Sequence, residues 1–249
     1  MLIMKLTVLG NRSPYPTKDA ACSGYLLQSG EQKILIDVGP GTLSNLQQII
    51  PFYQLDAIII SHLHQDHCLD LLPMHYGMAK SIEQGKREEA LAVYLPFDGG
   101  DELQFIQAKV GDEFHLQQIT QETELKLENL KVSFQRSNHP KECYAIKVDD
   151  GAKQFVYTAD TGWDESLVEF AMNVDLLLAE ASLLEKDSQY TKAGHLTVKQ
   201  ATQLGIEAQV GKVLLTHFWP EYEQSQVAAE IPEAEIEVEL ARVLEEYSF

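Results

Sequence analysis

Six consecutive residues, His62-Leu63-His64-Gln65-Asp66-His67, put four metal-binding side chains in one stretch of the 249-residue chain. They follow AIIIS, whose apolar run reads as a buried strand. At an extended strand end, residues two apart point the same way, so His62 and His64 are expected to grip one metal together. The chain is expected to turn into a helix after Gln65, which points Asp66 and His67 elsewhere, toward a second metal. Imidazole and carboxylate suit zinc, and also manganese or iron. A lone histidine reads as a surface or core residue. Four ligands in six positions on a strand-to-helix turn read as a site.

Two metals need further ligands. His139 follows VSFQRSN, Asp160 ends QFVYTAD, His217 ends KVLLTH, and His195 precedes TVKQA. Each sits at the end of an expected strand or the start of an expected helix, where active sites of layered α/β proteins gather. His75, in a helical stretch, and His115, inside FHLQQI, read as structural or surface residues. Cys68 reads as a small buried hydrophobe, and Tyr76, Phe218 and Trp219 as packing residues. Ser137, Asn138 and Ser182 are weak candidates for phosphate contact.

The elements that must position these residues come in groups. KLTVLG, SGYLLQSG and KILIDVG read as strands, with Gly30-Glu31 as a hairpin turn. GTLSNLQQIIPF reads as a helix capped by Thr42 or Ser44, and residues 66–87 as mainly helical. LAVYLP is a strand and GDELQFIQAKV a helix with Asp101 near its start. TELKLENLKVSFQRS offers two strands around Glu128-Asn129, and CYAIKVDDGAKQFVYTAD a hairpin turning at Asp149-Asp150-Gly151. DESLVEFAMN is helical, DLLLAEA a strand, TVKQATQLGIEAQ an amphipathic helix opened by Thr197, and KVLLTHF a strand. A helix near 222–230 follows. The tail IPEAEIEVELARVLEEY alternates apolar and acidic residues as an edge strand, then is expected to turn helical. Two sheets with helices outside them, in one α/β domain over residues 1–249, fit this order. The hairpins argue against a doubly wound parallel sheet.

Composition narrows the partners. The chain carries 19 Lys+Arg against 38 Asp+Glu, a net charge of −19, and 45% hydrophobic residues. Such a field repels a long polyanion, so long nucleic acid is a disfavoured partner. No run approaches 18 apolar residues, so no membrane span is expected. MLIMKLTVLG lacks a basic leader and a small-residue cleavage site, and reads as a first strand. Cys22, Cys68 and Cys143 form no CxxC pair, and a reducing, cytoplasmic setting is expected.

From about residue 5 to about residue 220 the chain resembles the metallo-β-lactamase superfamily, most of all its ribonuclease Z-like phosphodiesterase branch. IDVGPGTLSNL is similar to the first family motif, HLHQDH to the second, His139 to the third, Asp160 in TADTG to the fourth, and His217 in LLTHFW to the fifth. The resemblance implies a four-layer αββα sandwich with metals at one edge. It implies that His62, His64 and His139 bind one divalent ion, that Asp66, His67 and His217 bind another, and that Asp160 bridges them. Asp37 would orient a ligand histidine from behind, and the glycines would permit a tight strand-to-helix turn. Ribonuclease Z-like proteins carry His-Glu-Ala-Thr ahead of His-Ser-Thr. Here Ala179-Glu180-Ala181-Ser182 precedes His195-Leu196-Thr197, so the glutamate and second histidine match and the first histidine does not.

The resemblance implies a metal-dependent hydrolase with two zinc ions, manganese or iron being alternatives, that activate a hydroxide. Asp66, Glu180 and His195 are the expected catalytic residues. His195, held by Glu180, would stabilise negative charge or protonate a leaving oxygen. In that branch a long tRNA-clamping arm usually lies between the third and fourth motifs. Only 20 residues separate His139 from Asp160, which leaves no room for one. A small phosphodiester or nucleotide is therefore the expected substrate. Hydrolysis of a thioester, lactone or other carbonyl compound is the alternative on the same residues. The resemblance also suggests a homodimer.

Overall fold

The run Ala57-Ile58-Ile59-Ile60 has no polar face to offer water. It is fully buried, and its strand has a parallel neighbour on each side. The computed structural model of the protein describes residues 3–249. These form two units, one of Met4–Ile119 with Val243–Ser248, the other of Thr120–Arg242 with Ile3 and Phe249.

The first unit contains β1 (Met4–Gly10), β2 (Gly24–Ser29), β3 (Gln32–Val38), β4 (Ala57–Ile59), β5 (Leu91–Pro96) and β6 (Phe114–Ile119). Its helices are α1 (Thr42–Ile49), α2 (Gln65–Cys68), α3 (Leu71–Glu83) and α4 (Asp101–Lys109). The second unit contains β7 (Glu124–Leu127), β8 (Leu130–Arg136), β9 (Tyr144–Asp149), β10 (Gln154–Tyr157), β11 (Leu176–Glu180), β12 (Lys212–Thr216) and β13 (Glu237–Leu240). Its helices are α5 (Glu165–Phe170), α6 (Val198–Glu207) and α7 (Gln224–Ala229). The tail returns to the first unit as β14 (Glu246–Ser248).

Each unit holds a mixed sheet, with orders β14-β1-β2-β3-β4-β5-β6 and β13-β12-β11-β10-β9-β8-β7. In the first, β1 to β3 pair antiparallel through the Gly30-Glu31 hairpin, whereas β3 to β6 run parallel. In the second, β10 to β13 run parallel, and β7 to β10 pair antiparallel through the turns at 128–129 and 150–151. A doubly wound parallel sheet is thereby excluded, and two mixed sheets flanked by helices are present. Carboxyl ends of parallel strands are where ligands of α/β sheets gather. Asp37 lies in β3, the HLHQDH segment follows β4, Asp160 follows β10, Glu180 ends β11, and His217 follows β12.

Helix α3 buries Leu71, Met74 and Met78 against Leu26, Leu35 and Leu46. That burial contributes about 1.5–3 kcal/mol per side chain. Helix α6 buries Val198, Ala201 and Leu204 against Leu177, Val213 and Leu215. Thr197 opens α6 as expected, through a reciprocal pair of hydrogen bonds with Gln200.

Three expectations need correction. Helix α1 is capped by neither Thr42 nor Ser44. Gly41 occupies the cap at φ 91°, and the Asp70 carboxylate accepts from the N–H groups of Gly41 (2.9 Å) and Leu43 (3.0 Å). The tail beyond β13 forms no helix. Instead β14 pairs antiparallel with β1, placing Tyr247 opposite Leu6, and tertiary pairing overrides the helix-forming composition of ARVLEEY. Phe218 is buried, but Tyr76 and Trp219 are exposed at their surfaces. The three cysteines are buried and not joined in disulfides with one another, and among the described residues no helix is long and apolar enough to cross a membrane.

Candidate metal centre

In the first unit the site begins at Asp37, which is fully buried and held at φ 54° near the end of β3. Its carboxylate accepts from the backbone N–H of Ser61 (2.8 Å) and from the Ser61 hydroxyl (2.9 Å), and it lies 2.7 Å from Nδ1 of His67. Nδ1–H of His67 therefore donates to Asp37, leaving Nε2 as a lone-pair donor atom. Nε2 of His67 lies 3.5 Å from Oδ2 of Asp66, an oxygen that also accepts from the Ser13 hydroxyl at 2.8 Å. These two ligand atoms thus converge.

His62 and His64 form the other pair in this unit. Ser61 gives its proton to Asp37, so its oxygen can accept from Nδ1–H of His62, 3.2 Å away. That puts the ring's lone pair on Nε2 of His62. It lies 3.0 Å from Nδ1 of His64. Two nitrogens bound tetrahedrally at about 2.0–2.1 Å to one ion lie about 3.3 Å apart, so this separation suits a shared cation. Within this unit Nε2 of His62 thus meets His64, and Nε2 of His67 meets Asp66.

Gly39 explains the IDVGPG segment. A Cβ there would fall 1.9 Å from the backbone oxygen of Asp66, so only glycine lets this turn approach the HLHQDH segment.

In the second unit Asp160 stands between two histidines. Its Oδ1 lies 3.0 Å from Nε2 of His217, and its Oδ2 lies 3.9 Å from Nε2 of His139. One carboxylate thus presents an oxygen to each imidazole, the arrangement a bridging ligand needs. Ala159 and His217 adopt φ values of 51° and 62°. Such left-handed non-glycine residues gather at functional sites, at a cost of about 1–3 kcal/mol each.

Beside Asp160 and His217 lies the Glu180 carboxylate, with no solvent exposure. Oε1 accepts from the N–H of Thr161 (3.1 Å) and pairs with Nδ1 of His195 (3.0 Å). Oε2 accepts from the N–H (3.1 Å) and hydroxyl (2.8 Å) of Ser182. Burial works against the His195 imidazolium, but the charge and hydrogen bond of Glu180, helped by Asp160 and opposed by His217, raise its pKa above 6.5. The His195 side chain keeps 24% exposure, so its ring reaches solvent while Glu180 does not. Ligand atoms of Asp160, His195 and His217 all lie within 4.8 Å of one another.

Several serines escaped the sequence reading. Ser13 is distant in the chain from Asp66, to which its hydroxyl donates, and Ser61 adjoins His62 but belongs to no metal-ligand pattern. Ser182 contacts Glu180 and His217 where phosphate contact was the weak expectation. The Ser137 hydroxyl donates to the backbone oxygen of Thr158, and the Asn138 amide to that of Trp163, so both tie loops together. His75 is structural, as expected, paired with Glu113 at 3.2 Å. The donor set of imidazoles with carboxylates, with His62, His67 and His217 each backed by a second polar group, fits divalent transition ions.

Comparison with known proteins agrees. The family model described as “Beta-lactamase superfamily domain” matches residues 32–218. The chain is 34% identical over 216 residues to “Probable metallo-hydrolase YhfI” of Bacillus subtilis (strain 168), covering 86% of each. The crystal structure of the metallo-beta-lactamase fold protein YhfI from Bacillus subtilis matches 99% of this chain and 100% of its own, with TM-score 0.92 and 31% identity. “Ribonuclease Z” of Salinispora arenicola (strain CNS-205) is 25% identical over 289 aligned positions, covering 94% of this chain and 92% of that protein.

Proposed function

Because the chain belongs to the β-lactamase superfamily, among its metallo-hydrolases, we propose that it is a phosphodiesterase acting on a small phosphodiester or nucleotide. In this reading residues 1–249 work as one hydrolase domain, in the cytoplasm, with two divalent ions. We assign His62, His64 and His139 to one ion and Asp66, His67 and His217 to the other, with Asp160 shared. The pairing inside each unit supports this division: His62 with His64, His67 with Asp66, and the two oxygens of Asp160 turned to His139 and His217. Zinc is the preferred ion because imidazole dominates the set, with manganese or iron as alternatives. When bound, such a pair supplies Lewis acidity and water of lowered pKa.

The observation that carries the phosphodiester reading is the Glu180–His195 pair. Glu180 holds Nδ1 of His195, so Nε2 is the atom left to give a proton to a leaving oxygen. Against its burial, the charge and hydrogen bond of Glu180 favour the protonated ring and raise its pKa. A phosphodiester needs such a group because its alkoxide leaves as a strong base. Asp66 acts here from its bond to the Ser13 hydroxyl, positioned to accept a proton from water as well as to bind an ion. The similarity to ribonuclease Z supports the same chemistry. The net charge of −19 and the 20 residues between His139 and Asp160 favour a substrate smaller than tRNA.

The test is hydrolysis of bis(p-nitrophenyl) phosphate and a dinucleotide beside a thioester and lactone panel, by zinc- or manganese-loaded protein. The expected result is phosphodiester cleavage that His64→Ala abolishes, while His195→Ala abolishes cleavage of the dinucleotide, whose alkoxide needs a proton, and largely spares the nitrophenyl ester, whose phenolate does not. Cleavage of the carbonyl panel alone, unaffected by His195→Ala, would replace this reading with carbonyl hydrolysis.

A further inference from the structure

Ser182 sits between two side chains that the proposed reaction uses. Its hydroxyl oxygen lies 2.8 Å from Oε2 of Glu180 and 2.8 Å from Nδ1 of His217. It also lies 3.1 Å from the backbone oxygen of His217 and 3.5 Å from Nδ1 of His195. A hydroxyl has one proton to give. Given to the His217 carbonyl, it would leave the hydroxyl oxygen facing a carboxylate oxygen at 2.8 Å with no hydrogen between them. Given to Glu180 it makes the shorter, charge-assisted bond. The hydroxyl oxygen then accepts the Nδ1 proton of His217. His195 does not compete, since its own Nδ1–H has Glu180 Oε1 at 3.0 Å.

Resting on the ligand assignment proposed above, we infer that Ser182 is a positioning residue. Its hydroxyl fixes the tautomer of His217 and ties that ring to the carboxylate that orients His195. Glu180 thereby orients two imidazoles: His195 directly through Oε1, and His217 through the Ser182 hydroxyl on Oε2. The consequence for His217 is a proton on Nδ1 and a bare Nε2. That bare nitrogen faces Oδ1 of Asp160 at 3.0 Å, so two electron-pair donors meet as they would around one cation. The carboxylate cannot swing away, because Ser182 and Thr161 also donate their backbone N–H groups to it. Ser182 lies two residues beyond Glu180, and both are buried.

The experiment compares wild type, Ser182→Ala and Ser182→Thr. Two readouts do not depend on activity. The first is the ¹⁵N spectrum of the histidine rings in metal-free protein. The second is zinc affinity at each site by competition with a chelator. Ser182→Ala is expected to lose the Nδ1–H tautomer of His217 and to weaken one of two zinc sites by about 10–100-fold. Ser182→Thr, which keeps the hydroxyl, is expected to restore both. A Ser182→Ala protein with native ring spectra and two unchanged zinc affinities overturns the inference. So does a loss that Ser182→Thr, correctly folded by its backbone spectrum, fails to restore. Because neither readout uses a phosphodiester, a wrong substrate assignment would leave both results standing.

Discussion

Nε2 of His217 lies 3.0 Å from Oδ1 of Asp160, while the second oxygen of the same carboxylate is turned toward His139. Asp160 is 2% exposed, so this anion has little water to solvate it, and a bound cation offsets that cost. Asp160→Asn removes the charge and keeps the shape. Metal affinity is expected to fall by more than the about 10–100-fold typical of losing an outer partner. Metal content by elemental analysis after gel filtration should drop below that of wild type. An unchanged content would remove Asp160 from the ligand set.

Asp37 acts one step further back. It holds Nδ1 of His67 at 2.7 Å while Ser61 supplies two hydrogen bonds to it. Asp37→Ala is expected to weaken metal binding by about 10–100-fold. It should also lower thermal stability in metal-free protein, because the Ser61 donors lose their partner. Chelator competition and thermal melts check the two effects separately.

Gly39 has no room for a side chain, since an added Cβ would fall 1.9 Å from the Asp66 carbonyl. Gly39→Ala should therefore push the HLHQDH turn away from β3. The overpacking cost is about 1–3 kcal/mol or more, at about 2–4 °C of Tm per kcal/mol. Metal affinity should fall in the same variant. A melt and a metal titration matching wild type would contradict the close approach.

A pH effect is expected at the β12–β13 edge, at the opposite end of β12 from His217. Lys212 lies 3.1 Å from Glu237 and 2.8 Å from Glu239. Burial works against the Lys212 ammonium, but hydrogen bonds to Glu239 and Glu237 outweigh it and raise its pKa above 10.5. The hydrogen bond from Lys212 holds the Glu239 carboxyl below 4.5. The stability from Lys212 is full below pH 10.5 and is lost as pH rises through its raised value. That from Glu239 is full above pH 4.5 and is lost as pH falls through its lowered value. Lys212→Met should thus lower Tm at pH 7 by at most about 2–4 °C, as suits a surface pair worth up to about 1 kcal/mol. The difference from wild type should shrink at both pH extremes.

Local patterns were legible in the sequence. AIII suited a buried strand, Asp149-Asp150-Gly151 marked a hairpin turn, and Thr197 announced the start of α6. HLHQDH stood out because four residues able to bind metal fell within six positions. The helix expected after β13 was misread because ARVLEEY is rich in helix formers. Its actual partner, β1, lies more than two hundred residues away in the chain. The same distance problem hid the cap of α1, where Asp70 acts on Gly41, and the bond from Ser13 to Asp66. Hydroxyls leave no period or motif behind, so Ser13 and Ser61, and the contacts of Ser182, emerge only from coordinates.

The most direct test of the dinuclear assignment is anomalous diffraction at the zinc absorption edge, from crystals grown with zinc. The account predicts two peaks about 3.5–4 Å apart. One should be bounded by His62, His64 and His139, the other by Asp66, His67 and His217, with Asp160 reaching both. A single peak, or zinc bound away from these side chains, would contradict it.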